Sequence, residues 1–300
     1  MICLYIGDFI KEHSTENYVT YALEQNGVEV IKLQEGKVNS MAIVQSELTK
    51  RKIDFVLFCK NRVGVDGFEL LAYLNRQGVK TVTWVFDLYF DLPADRSLRT
   101  VFDSNWKADI VFSTDGGHDE EMKEKGYNHK LLRQGIHEPD AHYGNIVEAP
   151  EIVFIGTVVY ADRRRLVNFL KETYGIRFRH FGIGGDRELR GKELNDIITS
   201  AKIVVGDSLP SPKYWSNRVY EVTGRGGFLL HPKVEGLEKE FEYFKEIVPY
   251  AWGNLEQLRE IIDFYLTHEK EREKIRLAGF NKTKKKYTYT LRVKELLKSI

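Results

Sequence analysis

The chain has 300 residues, of which 42% are hydrophobic and 30% charged, and its formal net charge is +1. This composition excludes a disordered chain, and the length predicts about two domains of typical size. Apolar runs such as 53–59 are far shorter than the roughly 20 residues that span a bilayer, and the N-terminus lacks the basic flank of a signal peptide. Cys3 and Cys59 lie in apolar, strand-like runs, which favours reduced thiols in a cytoplasmic protein.

The first half of the sequence alternates short apolar runs with segments of helical spacing. Residues 2–7 end in glycine and predict a buried strand, and Ser14 or Thr15 is a suitable N-cap for a helix over 14–25. Further strands are predicted at 28–33, 54–59, 80–86, 108–113 and 130–133, with helices at 40–51 and 67–77. Strands that alternate with helices in this way predict βαβ units around a parallel sheet.

The pattern restarts at Glu151. Strands are predicted at 151–156, 177–181, 201–205 and 228–230, helices at 162–174, 191–199 and 217–223, and a long helical region at 255–280. The restart predicts an α/β protein with two doubly wound, Rossmann-like domains, at 1–140 and 151–280. Residues 281–300 are predicted to form a C-terminal helix that could return to the first domain. The polar segment 138–150, with a proline near each end, is the predicted boundary.

Charge is divided unevenly between the two halves of the chain. Residues 1–150 carry a formal charge of −6 and residues 151–300 a charge of +7. An anionic ligand would therefore prefer the second half, although a solvated basic surface gives the same count. The basic tract 282–286 is interpreted as a solvated helix end in preference to a phosphate site.

Ligands of doubly wound domains bind at the carboxyl ends of the strands. In the first half, Gly7 and Asp8 follow the first strand, and Gly7 would let a ligand approach closely. His13 precedes the next helix and Glu16 lies in its first turn. These residues are predicted to face an acceptor, with a helix cap or surface role as the alternative for His13.

Asp87 follows the buried strand 80–86 and is the preferred candidate for a general base. Its neighbours Trp84, Phe86 and Tyr89 predict an aromatic environment suited to a sugar. Partial burial would raise the pKa of the carboxyl and improve it as a base. A turn-capping role is the alternative.

In the second half, Gly156 ends a strand, and Tyr160, Arg163 and Arg164 lie at the start of the following helix. Cations at a helix N-terminus oppose the helix dipole, and a bound anion offsets that repulsion. The arginines therefore predict a phosphate site, with a solvated cluster as the alternative. Gly182, in the glycine-rich run 182–185, is predicted to shape a pocket for a base.

Residues 216–230 are the most informative segment. Ser216 or Asn217 could cap a short helix whose N-terminus, together with Arg218, would hold a diphosphate. Glu221 lies one turn further and could accept two hydrogen bonds from a ribose diol. Glycines then turn the chain into the next strand.

The run NRVYEVTGRGGFLL at 217–230, followed by EGLEKEF, resembles the C-terminal signature of CgeB-like glycosyltransferases in the group-1 GT-B superfamily. YIGDF, VTWVFD and FIGTVVYADRR agree with that resemblance in order along the chain. It implies two Rossmann-like domains that face each other across a cleft, with a nucleotide-sugar donor on the second and the acceptor mainly on the first. Glu221 matches the second glutamate of the E-x7-E motif, whose first glutamate is missing from this sequence.

The expected activity is hexosyl or pentosyl transfer from a nucleoside-diphosphate sugar, such as a UDP-sugar, to a hydroxyl acceptor. A glycan, a small molecule, a protein or a modified DNA base could be the acceptor. The sequence has no D-x-D motif and no zinc-type spacing, so we expect a metal-independent reaction without a cofactor. The alternatives are a sugar-nucleotide-binding protein without turnover and an epimerase-type enzyme.

Overall fold

A computed structural model describes residues 1–38, 40–59, 65–88, 104–158, 160–209 and 211–300. These residues form two compact units. The first unit comprises Met1–Gln134 and Tyr289–Ile300, and the second comprises Gly135–Thr288.

The first unit contains a six-stranded parallel sheet with the strand order β2-β1-β3-β4-β5-β6. Its strands are β1 (Ile2–Gly7), β2 (Glu29–Gln34), β3 (Phe55–Phe58), β4 (Lys80–Val85), β5 (Ile110–Ser113) and β6 (His129–Leu131). Its helices are α1 (Thr15–Gln25), α2 (Met41–Lys50), α3 (Gly67–Arg76), α4 (Asp119–Glu124) and α11 (Tyr289–Leu297). The predicted doubly wound sheet is confirmed, and Ser14 caps α1 by accepting a hydrogen bond from the Asn17 amide.

Both faces of this sheet are covered by helices, which explains why its strands are continuously apolar. On one face, Val19 and Leu23 of α1 pack with Val293 and Leu296 of α11. On the other face, α2 and α3 contribute side chains such as Leu70. Cys3 and Cys59 are buried free thiols, as predicted.

The second unit contains a five-stranded parallel sheet with the order β11-β10-β9-β7-β8. Its strands are β7 (Ile152–Ile155), β8 (Phe178–Phe181), β9 (Ile203–Val205), β10 (Leu229–Pro232) and β11 (Val248–Tyr250). Its helices are α5 (Ala161–Tyr174), α6 (Gly191–Ser200), α7 (Arg218–Gly224), α8 (Leu237–Glu240), α9 (Leu255–Thr267) and α10 (Glu269–Lys286). This sheet is the second parallel sheet that the restart at residue 151 predicts.

The long helical region predicted over 255–280 is confirmed, and the chain forms it as two helices, α9 and α10, that meet at His268. The His268 ring stacks on Phe264 with 3.7 Å between ring centroids, and its Nδ1 lies 2.8 Å from the Phe264 carbonyl oxygen. The backbone of His268 has φ −103° and ψ 70°, which is not helical, so this residue separates the two helices. The basic residues 284–286 are exposed in the last turn of α10, where positive charge complements the helix dipole, as the solvated interpretation predicts.

The segment 138–150 belongs to the second unit, whereas the sequence predicted a boundary there. The Asn195 side-chain amide donates to the Asp140 carbonyl at 3.0 Å. The backbone amides of Gly144 and Asn145 donate to Thr199 Oγ1 and Asp196 Oδ1 at 2.7 and 2.8 Å. These bonds attach the segment to α6. Across the described residues, every helix is too short or too polar to cross a bilayer.

Candidate functional site

Two glycines shape the carboxyl ends of β7 and β8. The Gly156 amide donates to the Phe181 carbonyl at 2.8 Å. Gly182 has φ +126°, and a Cβ at this position would lie 2.5 Å from the Gly156 carbonyl oxygen. Only glycine fits this close approach, and it leaves the space in front of the two strand ends open.

His180 supports this junction from inside the unit. Its Nε2 lies 2.6 Å from the Gly156 carbonyl oxygen, which requires Nε2–H to donate. Burial lowers the pKa of His180, so the ring is neutral at pH 7 and keeps that tautomer. The sequence analysis did not identify this residue.

A pocket of about 180 Å³ opens in front of the two glycines, and three arginines converge on it. We call it the arginine pocket. Its lining comprises Ile155, Gly156, Thr157, Arg163, Phe181, Gly182, Glu188, Leu189, Arg190 and Arg218. The polar groups of this lining are mainly cationic, which suits an anionic ligand.

Arg218 contributes the least compensated charge. It begins α7, and its Nη2 lies 3.0 Å from where a Cβ on residue 156 would stand. Burial, together with the nearby charges of Arg163 and Arg190, lowers the pKa of Arg218 to about 10, although Glu221 and Asp207 oppose the shift. Within the described residues its guanidinium makes no hydrogen bond. Arg218 is thus charged at pH 7 and available to a ligand.

The other two arginines are held differently. Arg163 Nε donates to Asp207 Oδ2 at 2.5 Å, and its Nη1 donates to the Thr157 carbonyl at 3.2 Å. Arg190 precedes α6, is exposed, and lies 3.6 Å from Glu188. Three guanidiniums and these two carboxylates leave a net positive charge, which attracts anions such as phosphates.

Glu221 is bound to a buried arginine. Arg225 Nη2 lies 2.9 Å from Glu221 Oε2 and 2.8 Å from Asp140 Oδ2, and its Nη1 donates to Asn195 Oδ1. Arg225 has no exposed surface, and its two carboxylate partners raise its pKa against the effect of burial. Glu221, the residue predicted to bind the ribose, therefore also has a structural role as a partner of Arg225.

Four of the predicted donor residues line the arginine pocket, namely Gly156, Arg163, Gly182 and Arg218. The other predicted residues Tyr160, Arg164, Ser216, Asn217 and Glu221 do not line it. Arg164 is exposed, and Ser216 Oγ donates to the Asp207 carbonyl at 3.2 Å. The Asn217 side-chain amide (Nδ2) donates to Glu221 Oε1 at 3.2 Å.

Sequence reasoning missed Arg190, Glu188 and Asp207 in this region. Arg190 lies in a polar loop between β8 and α6, where no apolar periodicity fixes its direction. Asp207 follows β9 and could have been found by the same strand-end rule that identified Asp87.

In the first unit, the acceptor-side residues lie at the end of β1. A Cβ on Gly7 would lie 2.8 Å from Cγ of the buried Glu16, so Gly7 makes room for that side chain. Asp8 Oδ1 accepts from Gln34 Nε2 at 3.0 Å and from the Ile10 amide at 3.2 Å. His13 is partly buried. Gly7, Asp8 and Glu16 thus form local packing and turn contacts.

Asp87 follows β4, as predicted, but its side chain is exposed, so the expected partial burial is wrong. Trp84 is fully buried and donates through Nε1 to the Leu132 carbonyl at 3.1 Å. Phe86 is also buried, and Tyr89 lies outside the described residues. The predicted aromatic sugar platform is therefore wrong for Trp84 and Phe86, because both rings belong to the core.

A histidine–aspartate pair missed by the sequence analysis lies at the neighbouring strand end. Val85 pairs with Ser113, so residues 87 and 115 follow adjacent strands. His118 Nδ1 lies 2.7 Å from Asp115 Oδ2, and that carboxylate is almost fully buried. This pair brings a second titratable group to the edge that carries Asp87.

Ser113, His129 and Asp119 form a hydrogen-bonded chain that resembles a hydrolytic triad. Ser113 Oγ lies 2.8 Å from His129 Nε2, and His129 Nδ1 lies 2.7 Å from Asp119 Oδ1. Ser113 has no exposed surface, which prevents contact with a substrate. The chain therefore fastens α4 to β5 and β6. Throughout the described part of the protein, His, Cys, Asp and Glu side chains form no cluster of three or more that could hold a metal ion.

Comparison with a protein-family model adds to this geometry. Residues 163–298 match a family described as Glycosyl transferase-like. The matched range contains Arg163, Arg190 and Arg218, together with Glu221. No curated protein matches the chain in sequence.

Solved structures resemble the whole chain at low sequence identity. HepE from Anabaena, in complex with UDP-glucose, is 11% identical with a TM-score of 0.70, and the match covers 100% of both chains. Sucrose-phosphate synthase from Thermosynechococcus elongatus is 12% identical with a TM-score of 0.70, covering 100% of this chain and 98% of that one. A Listeria monocytogenes protein assigned as a UDP-N-acetylglucosamine 2-epimerase is 12% identical with a TM-score of 0.58, covering 99% and 94%. These similarities show a two-domain α/β fold of the GT-B type.

Proposed function

We propose that this protein is a metal-independent glycosyltransferase that moves a sugar from a nucleoside-diphosphate sugar to a hydroxyl acceptor. The arginine pocket carries the proposal, because it gathers uncompensated positive charge at the strand ends of the second unit. The glycosyltransferase-like match over 163–298 and the GT-B fold support the same activity.

The pocket suits the chemistry of the leaving group. When the bond between the anomeric carbon and the diphosphate oxygen breaks, negative charge grows on the diphosphate. Positioned cations stabilise such charge and can replace a metal ion in this role. In our proposal Arg218 contacts the diphosphate directly, and Arg163 and Arg190 complete the site.

The nucleoside would lie beside the diphosphate. The glycine-rich loop 182–185 leaves room for a base. Glu221 Oε2 accepts from both Nε and Nη2 of Arg225, whereas among the described residues Oε1 accepts only from Asn217 Nδ2 and keeps a lone pair for a ribose hydroxyl. The resemblance of the fold to HepE with UDP-glucose favours a uridine nucleotide as the first donor to test.

The acceptor chemistry is proposed on the first unit. Attack by an acceptor hydroxyl on the anomeric carbon releases a proton, which a general base must take. Asp87 is the proposed base and His13 the second candidate. The CgeB-like subtype is part of this proposal, and it rests on the 217–230 segment.

Calorimetric titration with UDP, ADP, GDP and UDP-glucose, each with and without EDTA, tests the donor site. We expect micromolar binding of at least one nucleoside diphosphate, abolished or strongly weakened in Arg218→Met and unaffected by EDTA. Arg179→Met is a matched control, because Arg179 is an exposed arginine of β8 outside the pocket lining. Absence of binding by all four ligands would contradict the proposal.

Product analysis then separates the candidate activities. A transferase releases the nucleoside diphosphate only when a hydroxyl acceptor is present and joins the sugar to that acceptor. An epimerase leaves the nucleotide sugar intact with one inverted centre, and a binding protein changes nothing. The structural similarity to the Listeria protein makes the epimerase the second candidate.

A further inference from the structure

A second concave surface lies in the same unit, outside the arginine pocket. It has a volume of about 80 Å³ and is lined by Asp162, Arg165, Leu166, Asp207, Tyr250, Trp252, Gly253 and Leu255. Most of this lining is apolar, with charged groups from the start of α5 and the end of β9. We call it the Trp252 pocket.

Trp252 presents an aromatic face to solvent from a fixed position. Its side chain is 46% exposed, yet its Nε1 donates to the Ser208 carbonyl at 3.1 Å. The Tyr250 hydroxyl donates to the Gly206 carbonyl at 2.8 Å. Both aromatic polar groups are therefore occupied within the protein. Because Tyr250 is only 4% exposed, the apolar ring surface open to a ligand is mainly that of Trp252.

The turn that carries Trp252 is held by its own hydrogen bonds. The Ala251 amide donates to Gln257 Oε1 at 2.6 Å, and Asn254 caps α9 by accepting from the Gln257 amide at 3.0 Å. The Asn254 amide in turn donates to the Ala251 carbonyl at 3.0 Å. A ligand would thus meet a preformed ring, which lowers the entropy cost of binding.

Charges around this pocket cancel. Asp162 and Arg165 both lie in the first turns of α5, and Asp207 is paired with Arg163. A balanced set of carboxylates and guanidiniums gives little net attraction for an ion, but it supplies both acceptors and donors of hydrogen bonds. A ligand that suits this set has an apolar face and a rim of hydroxyls.

We infer that the Trp252 pocket is a binding subsite for a neutral pyranose unit, separate from the nucleotide site. One apolar ring face of the sugar packs on Trp252, and its hydroxyls donate to Asp162 or Asp207 and accept from Arg165. The inference goes beyond the proposed function and does not depend on nucleotide binding.

The test is titration of the full-length protein with D-glucose and maltotriose in the absence of nucleotide, followed by tryptophan fluorescence and saturation-transfer NMR. We expect saturable binding that weakens about tenfold in Trp252→Ala, a loss of the size that aromatic contacts provide. Trp252→Phe should retain binding within about threefold. Phe264→Ala is the matched control, since Phe264 is a similarly exposed aromatic residue of the same unit that lies outside the pocket lining.

Two further measurements separate this inference from the nucleotide site. Sugar binding should persist in Arg218→Met, and UDP affinity should be unchanged in Trp252→Ala. Absence of saturable sugar binding, or equal binding by wild type and Trp252→Ala, would overturn the inference. Loss of sugar binding in Arg218→Met would overturn it as well, because the sugar would then occupy the arginine pocket. Choline is titrated as a further probe. Saturable binding of choline without binding of sugar would also overturn the inference and show a cation site instead.

Discussion

Arg218→Met is the sharpest test of the arginine pocket. A charge-assisted hydrogen bond contributes about 1.5–3 kcal/mol, so loss of the guanidinium should weaken nucleoside-diphosphate binding by roughly 10- to 150-fold. Arg163 shares its charge with Asp207 at 2.5 Å, and Arg190 is exposed. Arg218 should therefore give the largest loss of the three.

The same substitution should behave differently in an unfolding experiment. Burial and the two neighbouring arginines lower the pKa of Arg218, which means that its charge is unfavourable in the unliganded folded state. Arg218→Met should then leave the melting temperature unchanged or raise it. A charged residue placed there for stability alone would give the opposite result.

The assay is calorimetric titration with UDP and the best diphosphate of the panel, together with thermal unfolding of each variant without ligand. Arg179→Met provides the control for loss of one positive charge from the same unit. Donor affinity within twofold of wild type in folded Arg218→Met would refute the reasoning, because the least compensated charge of the pocket would then have no ligand.

Three further predictions concern other residues. Glu221→Ala should weaken donor binding by about 1.5–3 kcal/mol, and it should also lower the free energy of unfolding by about 1–3 kcal/mol because it removes a partner of buried Arg225. Calorimetry measures the first effect and urea unfolding the second. Unchanged donor affinity would exclude the ribose role. Asp87→Asn should reduce turnover by about 10²–10⁴-fold and leave the donor dissociation constant unchanged, and near-normal turnover would exclude it as the base. His231 is fully buried, and burial lowers its pKa to about 4, so between pH 6.5 and 4 the unfolded chain binds a proton that the folded chain does not. As the pH is lowered from 6.5 to 4, the free energy of unfolding should therefore fall by up to about 3 kcal/mol. Urea titrations at each pH measure this fall, and it should be smaller in His231→Phe.

The sheets could be predicted because their strands are short, apolar and regularly separated by helices. The ends of those strands then identified Gly156, Arg163 and Gly182, since parallel strands bring their carboxyl ends to one edge. Arg218 was identified from the start of the short helix predicted at 217–223. The boundary between the two units at residue 134 could not be predicted from the sequence. It depends on hydrogen bonds that attach residues 138–150 to α6, some fifty residues later in the chain.

Side-chain roles were harder to predict than positions. Glu221 has the spacing expected of a ribose ligand, but the sequence does not show that Arg225, one turn later, binds it from inside the protein. Trp84 precedes a polar strand end, yet an inward-facing position on a central strand buries it completely. Trp252 was not singled out, because nothing in the sequence shows which face of its turn is open.

The path of the chain has a consequence for synthesis of the protein. The first unit begins at residue 1, but its core includes Tyr289, Val293 and Leu296, which are almost fully buried against residues of α1 and the first sheet. A ribosome therefore releases most of this unit early and supplies its last helix only after the whole second unit has been made. Until then the apolar surface under α11 is uncovered, a state in which nascent chains are prone to aggregate. Expression of residues 1–134 alone would keep that surface exposed, whereas a fusion of 289–300 to 1–134 would restore the complete core.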